Sequence, residues 1–235
     1  MKIWGYWTTL GWAVLAFFFG QIVGLAATVL LLDMDLRTIG AMEFDGTVVT
    51  LLVVIANPLT IAVLLVAIWI ARAPPVDYLA LTWPTARYIG IGLIGLAVLI
   101  VGSDALLYFS GYPVVTPFQV ESYTSAAAEG SLVGLWIGTV VLAPAGEEAV
   151  YRGFLFRGWA RSDRMAWPAI ILISLLWAVP HLQYDWTGIL LIFVVGLFLG
   201  WMRWRSGSTL LTFLLHALFN VESTLETVAY LHLSK

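Results

Sequence analysis

The fold is decided by residues 131–156, which read SLVGLWIGTVVLAPAGEEAVYRGFLF. A transmembrane helix needs about 20 mostly apolar residues, and this stretch is long enough to cross a bilayer. It nevertheless contains Glu147, Glu148 and Arg152. Because a charge at the middle of a bilayer costs at least about 2.5–3.5 kcal/mol, such residues indicate either a functional site or a structural ion pair.

The composition of the whole chain agrees with a membrane protein. Of its 235 residues, 61% are hydrophobic and 11% are charged, whereas a soluble domain carries about 25% charged residues. A water-soluble fold of this length could not bury so much apolar surface. The net charge of -3 gives no indication of nucleic-acid binding. The absence of cysteine excludes disulfides, thiolate metal sites and cysteine nucleophiles.

Seven apolar stretches have roughly the length of a membrane span. They cover residues 8–32, 47–70, 88–109, 131–156, 167–182, 187–204 and 208–224. The fifth and seventh are short for a full crossing, and residues 225–235 are expected to form an interfacial turn or a short eighth helix. We therefore predict an all-α, polytopic transmembrane helical bundle of about seven spans, with residues 1–235 as a single transmembrane domain.

The charges of the loops predict the orientation of the bundle. Loops rich in Lys and Arg stay on the cytoplasmic side, and basic and acidic segments alternate at every predicted crossing. This alternation predicts a cytoplasmic N-terminus and an odd number of spans. The basic segments contain Lys2, Arg72 and Arg87, Arg157 with Arg161 and Arg164, and Arg203 with Arg205, while the acidic loops contain Arg37 among four acids, Glu121 with Glu129, and Asp185.

The two adjacent carboxylates of span four differ in whether they can pair with Arg152. Glu148 and Arg152 are four residues apart, so they share a helix face and can pair. Glu147 points about 100° away on a helix of 3.6 residues per turn and is left without that partner. One carboxylate is thus neutralised, and the other is free for chemistry.

Two further spans carry polar residues at helical spacing. Span five ends in Trp177-Ala178-Val179-Pro180-His181, and span seven carries His216-Ala217-Leu218-Phe219-Asn220. His216 and Asn220 face the same way, although either pattern alone is equally compatible with hydrogen bonding between packed helices. Depth makes the set informative, because Glu147 and His181 each lie 17 residues from Arg164 and His216 and Asn220 reach the same layer at about 1.5 Å per residue. We expect the four to converge in one polar pocket.

The ordered set of motifs resembles the CAAX-protease and bacteriocin-processing family of intramembrane proteases, which includes the CAAX prenyl endopeptidases. The family pattern is E-E-x-x-x-R, then F-x-x-x-H, then H-x-x-x-N/D on successive membrane helices. Here it reads Glu147-Glu148-x-x-x-Arg152, Trp177-x-x-x-His181 and His216-x-x-x-Asn220, within residues 131–222. Trp177 departs from the usual Phe.

The resemblance implies a glutamate-dependent endopeptidase. It assigns Glu147 as the general base, which would hold and deprotonate a water together with His181. His216 and Asn220 would donate hydrogen bonds to the developing oxyanion, and Glu148 with Arg152 would brace the site. The implied partners are the lipid bilayer and a membrane protein or peptide substrate, which can be lipidated.

The enzyme hypothesis has two versions, one without a metal ion and one that needs zinc. Glu147, His181 and His216 could bind zinc, but the H-E-x-x-H pattern is absent and the amide of Asn220 is a poor zinc ligand. The sequence therefore favours direct glutamate catalysis without a cofactor over a zinc-dependent protease.

Two non-enzymatic alternatives remain open. An immunity or scaffold protein of the same fold would use binding alone. A small transporter would also place acids and histidines in the membrane, but it predicts a repeated half with broken helices, and no such repeat is visible. Outside the motifs, we expect Asp104 to snorkel or cap near the outer end of span three, and Glu222 and Glu226 to lie at an exposed outer end.

Overall fold

The computed structural model describes residues 3–35 and 44–233. Within these ranges the chain is all-α and contains no strand, which confirms the predicted fold class. The helices are α1 (Tyr6–Leu31), α2 (Gly46–Ile70), α3 (Pro75–Tyr78), α4 (Ala86–Ser110), α5 (Pro117–Glu129), α6 (Leu132–Trp159), α7 (Asp163–Ala178), α8 (Trp186–Ser206) and α9 (Thr209–Leu233).

Five of these helices are long and apolar enough to cross a membrane, namely α1, α2, α4, α6 and α8. Helix α7 has only 16 residues, or about 24 Å, which is less than the roughly 30 Å of a bilayer core. Helix α9 is long enough but carries acids in its second half. The structure thus supports an integral membrane protein, while the count of seven spans stays a prediction.

The orientation also stays a prediction. It rests in part on Lys2 and Arg37, and both lie outside the described residues. The remaining charged loops keep their alternating signs, but loop charge alone does not show which side of a membrane each loop faces.

Two helix ends and one additional helix differ from the expectations based on the sequence. Helix α9 continues to Leu233, so the described part of the tail extends the seventh predicted span and forms no separate helix after it. Helix α7 ends at Ala178, and His181 therefore lies in the turn that follows, where Pro180 lacks the N–H needed to continue a helix. Helix α5 occupies the loop before span four, and Thr116 caps it through a capping box with Gln119.

Helix α6 is not a regular α-helix over its full length. Residues Gly138–Leu142 and Ala149–Leu155 are π-helical, and in the first of these turns the N–H of Ala143 donates to the carbonyl of Gly138 rather than of Thr139. The next residue, Pro144, has no N–H to donate. The carbonyl of Thr139 is therefore left without a partner from its own helix. Such π-turns are often found at functional sites.

Close glycine contacts set the distances between helices. A Cβ on Gly146 of α6 would lie 2.2 Å from Oδ1 of Asn57 in α2, so the residue before Glu147 must be glycine for these helices to pack. Gly196 and Gly200 of α8 contact Ser174 and Ile170 of α7 in the same way, which is the close approach expected of a small-xxx-small pattern. Helix α6 consequently lies inside the bundle, against α1, α2, α8 and α9.

Candidate active site

A cavity of about 550 Å³ lies between α2, α4, α5, α6, α7, α8 and α9. Its volume is typical of small-molecule and substrate sites, which span roughly 300–1,000 Å³. The four residues singled out by the sequence all line it, as does one aromatic residue of α7: Glu147, His181, His216 and Asn220, with Trp177.

Glu147 is the carboxylate that faces this cavity. Its side chain is 26% exposed, and its Oε2 lies 4.0 Å from Nε2 of His216. As the sequence indicated, Arg152 pairs with Glu148 and not with Glu147, but the sequence did not predict a hydrogen bond between Glu147 and Trp177. The indole N–H of Trp177 donates to the same Oε2 over 2.5 Å.

Glu148 lies behind the cavity and has two partners on one oxygen. Its Oε1 accepts a hydrogen bond from Nη1 of Arg152 at 2.8 Å and lies 3.0 Å from Nδ1 of His216. The carboxylate is 1% exposed. The predicted pairing of Glu148 with Arg152 is present, and Arg152 also donates to the carbonyl of Gly196, which ties α6 to α8.

The tautomer of His216 follows from this contact. An ionised carboxylate only accepts hydrogen bonds, so Nδ1 of His216 carries a proton and donates it to Glu148. Nε2 then faces Glu147 and the cavity. It accepts a hydrogen bond when the ring is neutral and donates one when the ring is an imidazolium.

His181 is held by the backbone of the preceding helix. Its Nδ1 lies 2.8 Å from the carbonyl oxygen of Trp177. Because a carbonyl only accepts, Nδ1 is again the protonated nitrogen, and Nε2 of the neutral ring is left as an acceptor. The ring also stacks on Tyr184 at 6.4 Å between centroids, which limits its rotation.

Asn220 uses one amide proton to satisfy the backbone of α6. Its Nδ2 donates to the carbonyl of Thr139 at 2.8 Å, the same carbonyl that the π-turn and Pro144 leave without a helical partner. An amide nitrogen has two N–H groups, so the second remains for a ligand in the cavity. The irregular backbone of α6 thereby orients Asn220.

Comparison with known proteins shows that one segment of the chain is similar to a described family. Residues 129–221 match the family described as "Type II CAAX prenyl endopeptidase Rce1-like". This segment is therefore similar to the Rce1-like family. The match confirms the resemblance to CAAX proteases that the motifs indicated. The chain is also 31% identical to an "Uncharacterized 24.3 kDa protein" of Escherichia coli over 152 residues, which cover 63% of this chain and 66% of that relative. No solved structure matches the chain.

The Rce1-like segment contains the four cavity-lining residues of the motifs, but their individual roles stay predictions. Trp177 lies within the same segment. The residues of α1, α2 and α4 that pack around the segment lie outside it.

Three carboxylates line the cavity without having been assigned to it. Asp104 of α4 and Glu222 and Glu226 of α9 place one oxygen each within 4.8 Å of one another, and all three line the cavity. Asp104 was expected to snorkel or cap, and Glu222 and Glu226 were expected to lie at an exposed outer end. The structure makes all three partly buried, so Glu222 and Glu226 are not an exposed end. The spacing of Glu222 and Glu226, four residues apart on one helix face, was the available signal. All three lie outside the Rce1-like segment.

One further carboxylate has a clear structural role. Asp185 precedes α8 and accepts hydrogen bonds from the hydroxyl of Thr187 and the backbone N–H of Gly188. These donors stabilise the ionised form, and they lower the pKa of Asp185 below its usual range. Asp185 is the N-cap of α8.

A zinc ion at this site would need several ligand atoms close to one another. Zinc binds His nitrogen and carboxylate oxygen at about 2.0–2.2 Å, usually through three protein ligands in catalytic sites. The 4.0 Å between Glu147 and His216 could accommodate either a metal ion or a water. Among the described residues, however, the group whose ligand atoms lie within 4.8 Å of one another is Asp104, Glu222 and Glu226, rather than Glu147, His181 and His216.

Proposed function

We propose that the protein is an intramembrane endopeptidase that hydrolyses a peptide bond of a membrane-associated protein or peptide, with Glu147 as the general base. The observation that carries the proposal is the 4.0 Å gap between Oε2 of Glu147 and Nε2 of His216 inside the cavity. Hydrogen bonds to water are about 2.8 Å long, so one water molecule can bridge the two atoms.

The proposed reaction begins with this water. Glu147 takes a proton from the water while the oxygen of the water forms a bond to the carbonyl carbon of the substrate. Nε2 of His181 accepts a hydrogen bond from the second proton of the water. The tetrahedral intermediate then collapses, the C–N bond breaks, and Glu147 returns the proton to the leaving amine. General base catalysis of this kind contributes about 10²–10⁴-fold in rate.

The oxyanion of the intermediate needs donors, which His216 and Asn220 are proposed to supply. Asn220 has one N–H left after its bond to Thr139. His216 can donate from Nε2 only as an imidazolium, because its other proton is directed at Glu148. Glu148 would stabilise that positive charge, which gives the buried carboxylate a role in the reaction as well as in the fold.

The cavity suits a substrate that resides in the membrane. A scissile peptide must lose its helical hydrogen bonds before attack, and non-helical backbone is tolerated at membrane depth only within protein or beside water. The matched family is described as a prenyl endopeptidase, so prenylated CAAX peptides are the first substrates to test, followed by unmodified membrane peptides.

The decisive experiment replaces Glu147 by Gln, which keeps the size of the side chain and an acceptor for Trp177. Membrane peptides are compared by mass spectrometry between cells with the wild-type protein and cells with the E147Q form. We expect cleavage products that are present with the wild type and absent with E147Q. Glu129→Gln, at an exposed position of α5, is the matched control and should leave the products unchanged. Persistence of all products in E147Q cells would overturn the proposal and favour a non-catalytic role.

The zinc-dependent version is tested separately. The purified protein is treated exhaustively with a chelator, its metal content is measured by elemental analysis, and cleavage of an identified peptide is followed. We expect cleavage to continue without bound zinc. Loss of cleavage that zinc alone restores would replace direct glutamate catalysis by the metal-dependent mechanism.

A further inference from the structure

Trp177 has a polar contact that a phenylalanine at the same position could not make. The family pattern usually has Phe four residues before the histidine, and packing alone would account for any aromatic ring there. In this chain the indole N–H donates to Oε2 of Glu147. The side chain of Trp177 is 3% exposed, and a buried indole N–H requires an acceptor.

The indole ring is held on several sides. The guanidinium of Arg152 lies 4.4 Å from the ring centroid, and the rings of His216 and His181 meet it edge to face at 5.1 and 5.6 Å. The backbone of α8 approaches so closely that a Cβ on Gly196 would lie 3.1 Å from Cε3 of Trp177. The direction of the N–H is therefore set by the packing of α6, α7, α8 and α9.

The same oxygen of Glu147 also faces His216. A glutamate side chain has three rotatable bonds, and a general base must be held within about 0.5 Å of its productive position. The hydrogen bond from Trp177 supplies that restraint from a rigid ring. Glu148 and the carbonyl of Trp177 restrain the two histidines in turn.

We propose that Trp177 is a positioning residue whose indole N–H holds the carboxylate of Glu147 against His216. The inference rests on the proposed function of Glu147 as the base. It assigns to Trp177 a role in the rate of the chemical step that goes beyond the packing role of the aromatic ring.

The test removes the N–H and keeps the ring. Trp177→Phe gives the residue usual in the family, and replacement of Trp177 by benzothienylalanine, through an expanded genetic code, exchanges the N–H for sulfur at nearly constant shape. The substrate is a peptide that the wild-type protein cleaves in cells, synthesised with a fluorophore and a quencher. A hydrogen bond to a charged group corresponds to about a 10- to 100-fold effect, and we expect kcat to fall by this factor in both variants with little change in KM.

A second tryptophan provides the matched control. Trp204 of α8 also donates its indole N–H to a carboxylate, that of Asp163, at 3.3 Å, and Asp163 lies about 21 Å along α7 from Trp177. Trp204→Phe removes the same kind of hydrogen bond away from the cavity, so its kcat should equal that of the wild type.

The outcomes distinguish a positioning role of Trp177 from a packing role, and both from a failure of the proposed function. If kcat of the benzothienylalanine variant stays within about twofold of the wild type, while E147Q is inactive, Trp177 only packs and the inference is wrong. If E147Q itself retains activity, Glu147 is not the general base, and the proposed function is wrong whatever the Trp177 variants show. A fall in kcat for Trp177→Phe alone, with thermal stability lost in parallel, would also assign Trp177 to packing, because the isosteric variant isolates the N–H.

Discussion

Among single side chains, Glu148 shows how one buried carboxylate can serve both stability and chemistry. Its Oε1 contacts Arg152 and His216, while Oε2 is buried without a hydrogen-bond partner. A buried ion pair adds little net stability, but removal of one member leaves an unpaired charge that costs about 3–5 kcal/mol. The two roles can therefore be separated by substitutions at both positions.

Glu148→Gln is predicted to destabilise the folded protein strongly, because Arg152 remains charged and buried. Adding Arg152→Met should restore much of the thermal stability in detergent, since a buried ion pair can often be exchanged for apolar residues. Peptide cleavage by the double variant should stay low, because a neutral amide holds His216 less firmly than a carboxylate does. Recovery of cleavage together with stability would show that Glu148 acts only as a counter-charge.

The individual helices show why the site depends on an irregular backbone. The first π-turn of α6 leaves the carbonyl of Thr139 to Asn220, and Pro144 keeps it available. A regular helix would use this carbonyl internally, and Asn220 would lose the acceptor that fixes its orientation. The irregularity of α6 is thus linked to the geometry of α9.

Pro144→Ala is predicted to lower cleavage without lowering thermal stability. The substitution restores an N–H that can compete with Asn220 for the carbonyl of Thr139, and alanine is a far better helix former than proline. The kcat for peptide cleavage and the unfolding temperature are measured together. Pro168→Ala is the control, because Pro168 of α7 lines a separate apolar groove and its replacement should leave kcat unchanged. Equal kcat for both variants would mean that the π-turn does not orient Asn220.

Across the whole molecule, the arrangement of the loops about a membrane can be tested directly. The chain has no cysteine, so single introduced cysteines are clean probes. Residue 162 lies in the arginine-rich loop and residue 129 at the end of α5 in the acidic segment, and both are exposed. The charge alternation predicts that they face opposite sides of the membrane.

A membrane-impermeant maleimide is predicted to label Glu129→Cys in intact cells. Ser162→Cys should react only after the cells are opened, because the arginine-rich loop that contains it is expected in the cytoplasm. Labelling is read by the mass shift of the protein on a gel. Labelling of both positions in intact cells would contradict the predicted count of crossings between them, and the reversed pattern would contradict the cytoplasmic N-terminus.

Much of the site could be predicted because its signals are local. Glu148 and Arg152 pair as their spacing indicates, and similar depth was sufficient to bring Glu147 and His181 to one cavity. Depth alone did not reveal the contact between Asp104 and α9, because it depends on which helices are neighbours. It also did not reveal the Trp177 hydrogen bond, which depends on the direction of one indole N–H.

The amino-acid sequence alone determined that this is a helical membrane protein and which polar residues are candidates for the site. The length of an apolar stretch and the presence of a charge within it are both properties of a single segment. Only the tertiary structure decided that Trp177 holds Glu147, that Glu148 sets the tautomer of His216 and that Thr139 receives Asn220. Those contacts depend on how each helix is rotated about its axis and which helix it meets, and residue spacing does not specify either.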